Sequence, residues 1–163
     1  MCPCSSGVPE SSADFPYAVQ ALLPQSHRMV LIDRVVEADD SHIVVELTVR
    51  DDGLFSTPEH SVPAWVGLEY MAQAVAAFAG YQRRLRGLEI DLGFLLGTRF
   101  YQSSAGHFAC GCRLRVRAEK IIEAANDMVV FDCCLQGDGV EATSKLNLLT
   151  PLDSKKFLAK KGI

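Results

Sequence analysis

From residue 29 the chain runs Met29-Val30-Leu31-Ile32-Asp33-Arg34-Val35-Val36, turns polar at Asp39-Asp40-Ser41, and is apolar again from Ile43 to Val49. Two β-rich runs around a cluster of turn formers predict a hairpin. Upstream, Tyr17 to Leu23 suits a short helix stopped by Pro24. From Pro63 to Arg86 the alternation disappears: alanines at 64, 72, 74, 76, 77 and 79, with Leu68, Met71 and Gln73, favour helix. Pro63 suits a first helical position and Gly87 a stop. Apolar residues occupy nearly every face of this helix, so it has to be buried on most sides.

Strand patterns return after the helix. Gly93 to Gln102 is one run. Arg113 to Ile122 is another, with Arg113, Arg115 and Arg117 on one face and Leu114, Val116 and Ala118 on the other. Met128 to Leu135 and Val140 to Leu149 follow, joined at Gln136-Gly137-Asp138-Gly139, and Lys155 to Lys160 suits a short closing helix. The order strand, strand, buried helix, four strands predicts an α+β domain in which an antiparallel sheet wraps one central helix. The expected organisation is a flexible N-terminal arm over residues 1–15, one domain over 16–152, and a tail or short helix over 153–163.

Composition narrows the function. The 163 residues are close to one ordinary domain, and a chain of this size buries roughly 70% of its unfolded surface without needing a disulfide or metal staple. A net charge of −4 argues against a generally basic nucleic-acid-binding domain. The apolar helix is of marginal length for a membrane span and carries a carboxylate in its middle, so no membrane role is expected. Cys2, Cys4, Cys110, Cys112, Cys133 and Cys134 form no simple disulfide framework, and the two C-x-C pairs lack the companion ligands of a zinc site. The expected compartment is the cytoplasm, with no metal and no cofactor.

From Pro63 to Gln82 the only charged side chain is Glu69. A lone carboxylate on an apolar helix is expensive to bury ionised, which suits a group that gives or takes a proton near neutral pH. The other readings are a wet helix edge or pairing with an arginine. Gln73, one turn on, faces the same way and suits holding the carboxylate, a ligand carbonyl or a buried backbone group. Free N–H groups near Ala64 to Gly67 would suit a developing oxyanion, and Gly67 would let a substrate approach the backbone. Trp65 and Tyr70 read as core or interface residues.

Leu22-Leu23-Pro24 followed by Met29-Val30-Leu31-Ile32-Asp33-Arg34-Val35 resembles the opening of β-hydroxyacyl-(acyl carrier protein) dehydratases of the hotdog fold. Val62-Pro63-Ala64-Trp65-Val66-Gly67-Leu68-Glu69-Tyr70-Met71-Ala72-Gln73 is similar to their central-helix motif, roughly P-G-V-L-x-x-E-A-M-A-Q, and Gly93-Phe94-Leu95-Leu96-Gly97 to the strand that follows. The similarity spans about Leu22 to Thr150 and points to the small dehydratases of aryl-polyene and related fatty-acid-like pathways. It implies a lyase that converts a 3-hydroxyacyl thioester on acyl carrier protein or coenzyme A into the trans-2-enoyl product, acting as a homodimer or a heterodimer with another hotdog subunit. By the resemblance Glu69 is the catalytic carboxylate. Its partner is a histidine from a G-H-F-P loop across the dimer interface, which takes the α-proton while the acid helps the hydroxyl leave.

The chain departs from that pattern in two places: the family's opening Pro-His-Arg reads Pro24-Gln25-Ser26, with His27 two places on, and the G-H-F-P motif is missing. The loop before the helix reads Leu54-Phe55-Ser56-Thr57-Pro58-Glu59-His60-Ser61-Val62-Pro63, and Phe55 stands where the family histidine would be. His60 either substitutes for it or is an exposed loop residue. Gly106-His107-Phe108 spells part of the motif but follows the helix and reads as a later loop. The candidate catalytic residues are therefore Glu69 and His60, with Gln73, Gly67, Val66 and Phe55 as candidate substrate contacts. Arg83, Arg84 and Arg86 either complement the helix dipole or, with Arg113, Arg115 and Arg117, dock an acidic carrier protein. The alternatives are a half-catalytic or non-catalytic subunit of a heterodimer, an acyl thioesterase on the same fold, and a pure acyl-binding protein.

Overall fold

A computed structural model describes residues 15–124, 127–151 and 154–161. The arm expected over 1–15 lies outside these residues except for Phe15, as do Cys2 and Cys4. The two β-rich runs form a hairpin of β1 (Arg34–Ala38) and β2 (His42–Thr48). Asp39 makes its turn: one carboxylate oxygen accepts from the N–H groups of Ser41 at 2.7 Å and His42 at 2.8 Å. Desolvation alone would raise this carboxyl, but those N–H donors hold it down to about 2. The first apolar run enters the sheet later than its pattern predicts, because residues His27–Met29 form a single 3-10 turn. Val30, Leu31 and Ile32 are nevertheless buried.

After the hairpin come a three-residue strand, β3 (Ser61–Pro63), and a 3-10 turn over Ala64–Val66. The central helix α1 follows (Gly67–Leu85). Then come β4 (Phe94–Ser103), β5 (His107–Ala109), β6 (Arg113–Glu123), β7 (Met128–Gly137), β8 (Val140–Leu149) and α2 (Ser154–Lys161). Six strands make one antiparallel sheet in the order β1-β2-β6-β7-β8-β4, and β3 pairs with β5 in a separate two-stranded sheet. Pro63 belongs to β3 and not to the first helical turn, so the helix is entered from an extended strand through the 3-10 turn.

The large sheet wraps α1 as a hotdog fold does. Met71, Ala74, Val75, Ala77 and Phe78 are buried, and the Phe78 ring meets Phe131 of β7 edge-on at 5.3 Å. On β6, Leu114, Val116 and Ala118 face the core while the alternate arginines face outward, as their spacing predicts. Small helix residues bring the chain close: a side chain on Gly80 would run into the Leu22 carbonyl. Among the described residues no helix is long and apolar enough to cross a membrane.

The two sheet edges differ. Edge strand β1 carries Arg34 and Glu37 and is broken by a register shift between Val35 and Glu37, devices that discourage further pairing. At the other edge, β4 exposes Leu95, Leu96 and Phe100, and the connection before it exposes Leu88 and Leu92.

Two outcomes follow from these contacts. Gly80→Ala should lower unfolding stability by about 1–3 kcal/mol in urea titrations, the usual penalty for forcing extra volume into a packed site. Asp39 is depressed in the folded chain, so its stabilisation is present above the ordinary carboxylate value of 3.8 and is lost as pH falls towards 2. The stability gap between wild type and Asp39→Asn should therefore close over that interval in acid denaturation.

Candidate active site

Glu69 stands in the first turn of α1, and Gln73 lies one turn behind it. Gln73 is fully buried and makes three connections. Its amide nitrogen donates to the Glu69 carboxylate at 2.8 Å and to the Met29 carbonyl at 2.7 Å, and its amide oxygen accepts from the Leu31 N–H at 2.8 Å. The side chain therefore both holds the carboxylate and satisfies buried backbone groups. The segment at 29–31 crosses α1 there, and without Gln73 two main-chain groups would be left without partners in the core.

Glu69 itself is half-buried, which fits the reading of a wet helix edge, and among the described residues no arginine pairs with it. One of its oxygens, Oε1, accepts from the Gln73 amide, which gives the carboxyl a defined direction.

The helix start is more closed than its sequence suggests. The N–H of Ala64 donates to the Gly106 carbonyl at 2.9 Å, and that of Gly67 turns back to the carbonyls of Ala64 and Trp65. Of the N–H groups expected to be free for an oxyanion, those two are already used. Gly67 has the same correction. The space beside its Cα is filled by the Tyr101 hydroxyl and the Phe108 ring, and that hydroxyl donates to the Ala64 carbonyl. Gly67 lacks a side chain so that its own chain, not a substrate, can approach. Val66 is likewise buried in the core. Gly106-His107-Phe108 is not a remote loop: His107 pairs with Pro63 across the β3–β5 sheet, and Phe108 packs beneath the helix start. Phe108 showed in the sequence only as part of Gly106-His107-Phe108, because a three-residue strand has too little alternation to be read, and nothing in the β4 pattern singled out Tyr101.

Among the described residues no hydrogen bond joins His60 to Glu69. The His60 ring nitrogen Nδ1 donates to both carboxylate oxygens of Asp51, at 2.9 and 2.8 Å, and its side chain is 78% exposed. That hydrogen bond holds the Asp51 carboxyl below its usual range. Phe55 packs edge-to-face against Trp65 at 5.8 Å, and Trp65 is 62% exposed, so it is no core residue. The arginines expected to dock a carrier are mostly engaged. Arg83 pairs with Asp91 and binds the Glu89 carbonyl, and Arg84 binds the Ala21 carbonyl. Arg115 pairs with Glu46, and Arg117 with Glu119 and Glu37.

The family described as ApeP-like, ApeP dehydratase, matches residues 17–159. The dehydratase heterocomplex ApeI:P from Xenorhabdus doucetiae contains a chain that is 27% identical, with a TM-score of 0.78 over 88% of this chain and 97% of that one. A sigma28-regulated virulence protein from Campylobacter jejuni has a TM-score of 0.56 at 12% identity, over 83% of this chain and 89% of the other. A mutant phenylacetic acid degradation protein, PaaI, from Thermus thermophilus reaches 0.51 at 14% identity, over 70% and 90% respectively. The last two share the fold alone. Among curated proteins none matches the chain.

Replacing Gln73 by leucine, which has nearly its shape, should cost about 1–3 kcal/mol for each backbone group left unpaired. Urea denaturation measures this loss, and a cost below 1 kcal/mol would show that the 29–31 segment does not depend on the amide.

Proposed function

The chain belongs to the ApeP-like dehydratase family, and from that premise we propose that it dehydrates 3-hydroxyacyl thioesters on acyl carrier protein, in fatty-acid-like or polyene biosynthesis in the cytoplasm. The observation that carries this reading is Glu69 fixed by Gln73. In the proposed reaction a base removes the α-proton and electrons shift to form the 2,3 double bond. The Glu69 carboxylic acid gives its proton to the departing 3-hydroxyl, so that water and the trans-2-enoyl thioester result.

The base comes from a second hotdog subunit. On this chain Phe55 stands at the motif histidine's position, and the His60 ring is held by Asp51. The ApeI:P relative is a heterocomplex, and the open β4 edge with Leu95, Leu96 and Phe100 suits pairing with a second sheet. In this reading the chain contributes the acid and its neighbour the imidazole.

Mass spectrometry of the acyl carrier after turnover tests the proposal. Mixed with a histidine-bearing hotdog partner, the chain should form a product lighter by one water, and Glu69→Gln should slow that step by at least about a hundredfold. Full activity in Glu69→Gln would refute the assignment. Loss of activity in His60→Ala would return the base to this chain. Leu96→Asp with Phe100→Asp should abolish co-elution of the two subunits in size-exclusion chromatography, while the melting temperature of this chain alone stays within a few degrees.

A further inference from the structure

Strand β4 does not run evenly along its neighbour β8. Thr98 pairs with Leu146 and Tyr101 with Ser144, so Arg99 and Phe100 stand together opposite Lys145. Two residues against one make a β-bulge. Thr98 lies on the core face, opposite buried Leu146. Side chains alternate along a strand, so counting by twos from Thr98 would turn Phe100 inward and Tyr101 outward. The bulge reverses this: Arg99 and Phe100 are both exposed, and Tyr101 is half-buried and packed against the core.

Two hydroxyls hold the bulge in place. Ser144 is fully buried and donates to the Phe100 carbonyl at 2.9 Å. The Thr98 hydroxyl lies 2.8 Å from that of Ser144, 2.6 Å from the Phe100 carbonyl and 2.8 Å from the Lys145 carbonyl. Side chains thus satisfy backbone groups where the ladder is interrupted.

Re-aimed in this way, Tyr101 meets the entrance to α1. Its hydroxyl donates to the carbonyl of Ala64, the first residue of the 3-10 turn, and lies against Gly67, the first residue of the helix. The same carbonyl accepts from the Gly67 N–H, and the Ala64 N–H donates to the Gly106 carbonyl. Ala64 is therefore tied to β4 through a side chain and to the connection before β5 through its backbone, one turn ahead of Glu69. Burial pushes the ionisation of the phenol up, so it stays a donor at neutral pH. No hydrogen bond among the described residues joins the phenol to Glu69 or Gln73.

We propose that Tyr101 is a positioning residue for the dehydration, anchoring from edge strand β4 the turn that aims Glu69. The inference rests on the reading of Glu69 as the acid. Phe100, pushed outward by the bulge, belongs to the surface proposed above to meet the second subunit. One short stretch of β4 therefore carries both that surface and the support of the acid, as bulges beside active sites re-aim side chains elsewhere.

Steady-state dehydration by the assembled enzyme tests the proposal, at a temperature below the melting point of every variant. Tyr101→Phe, which removes only the hydroxyl, should lower kcat about tenfold and leave KM within about twofold, because a misaimed acid slows the chemical step without loosening thioester binding. Co-elution with the partner subunit should be unchanged. Combined with Glu69→Gln, the substitution should give an enzyme no slower than Glu69→Gln alone. A kcat within about twofold of wild type in Tyr101→Phe, beside a slow Glu69→Gln, would overturn the proposal and leave the acid standing. A raised KM with unchanged kcat, losses that add in the double variant, or loss of co-elution would overturn it too. Full activity in Glu69→Gln would overturn the reading of the acid and, with it, the role of Tyr101.

Discussion

One buried amide organises the part of the molecule that matters chemically. Gln73 reaches the carbonyl of Met29, the N–H of Leu31 and the carboxylate of Glu69, three of the four hydrogen-bonding positions its side chain owns. The extended segment before β1 can cross the helix there only because its polar backbone finds those partners away from water. Val30, Leu31 and Ile32 then enter the core, so the same contact that fixes the acid also closes one end of the barrel-like wrap. A change that loosens the chain crossing therefore also unsettles the acid.

The rest of the architecture follows from a helix with almost no polar face. It needs a sheet curved around it, and the small residues along α1 allow close approach, to the point that Gly80 abuts the Leu22 backbone. Apart from Gln82 and the arginines at its C-terminal end, the helix carries its polar groups at its start, where the 3-10 turn, β3 and β5 replace a regular helix entry. There Tyr101 and Phe108 close over Gly67, which stiffens the first turn beneath Glu69. At the sheet's margins, β1 is guarded by charge and irregular register, whereas β4 presents apolar side chains beside an unpaired backbone. A subunit whose Glu69 is held by Gln73, with no imidazole bonded to it among the described residues and with one open sheet edge, fits the active site proposed above to be shared.

Much of this was legible in the chain because long periodic segments speak for themselves. The alternation of arginines with Leu114, Val116 and Ala118 set one strand and its facing, and the all-round apolar character of Met71 to Phe78 required a wrapping sheet. Glu69 and Gln73 were visible as the polar exceptions on that helix, and the resemblance gave them roles. What stayed hidden depends on tertiary contact. Pro63 looked like a helix starter but pairs in β3, a strand of three residues. The Gly106-His107-Phe108 run looked remote but lies against the helix start. The N–H groups near Gly67 looked free because nothing in the sequence shows that the Gly106 carbonyl reaches Ala64. His60 kept its alternatives in the sequence, and the structure ties its ring to Asp51.

The central claim is that Gln73 serves dehydration through Glu69. A double-mutant cycle on the dehydration rate of the assembled enzyme measures this directly, using Glu69→Gln, Gln73→Leu and the pair. If the amide acts by holding the acid, the double variant should be no slower than Glu69→Gln alone, because the second change removes support from a group already lost. Losses that simply add would mean that the two side chains work independently, and would contradict the account.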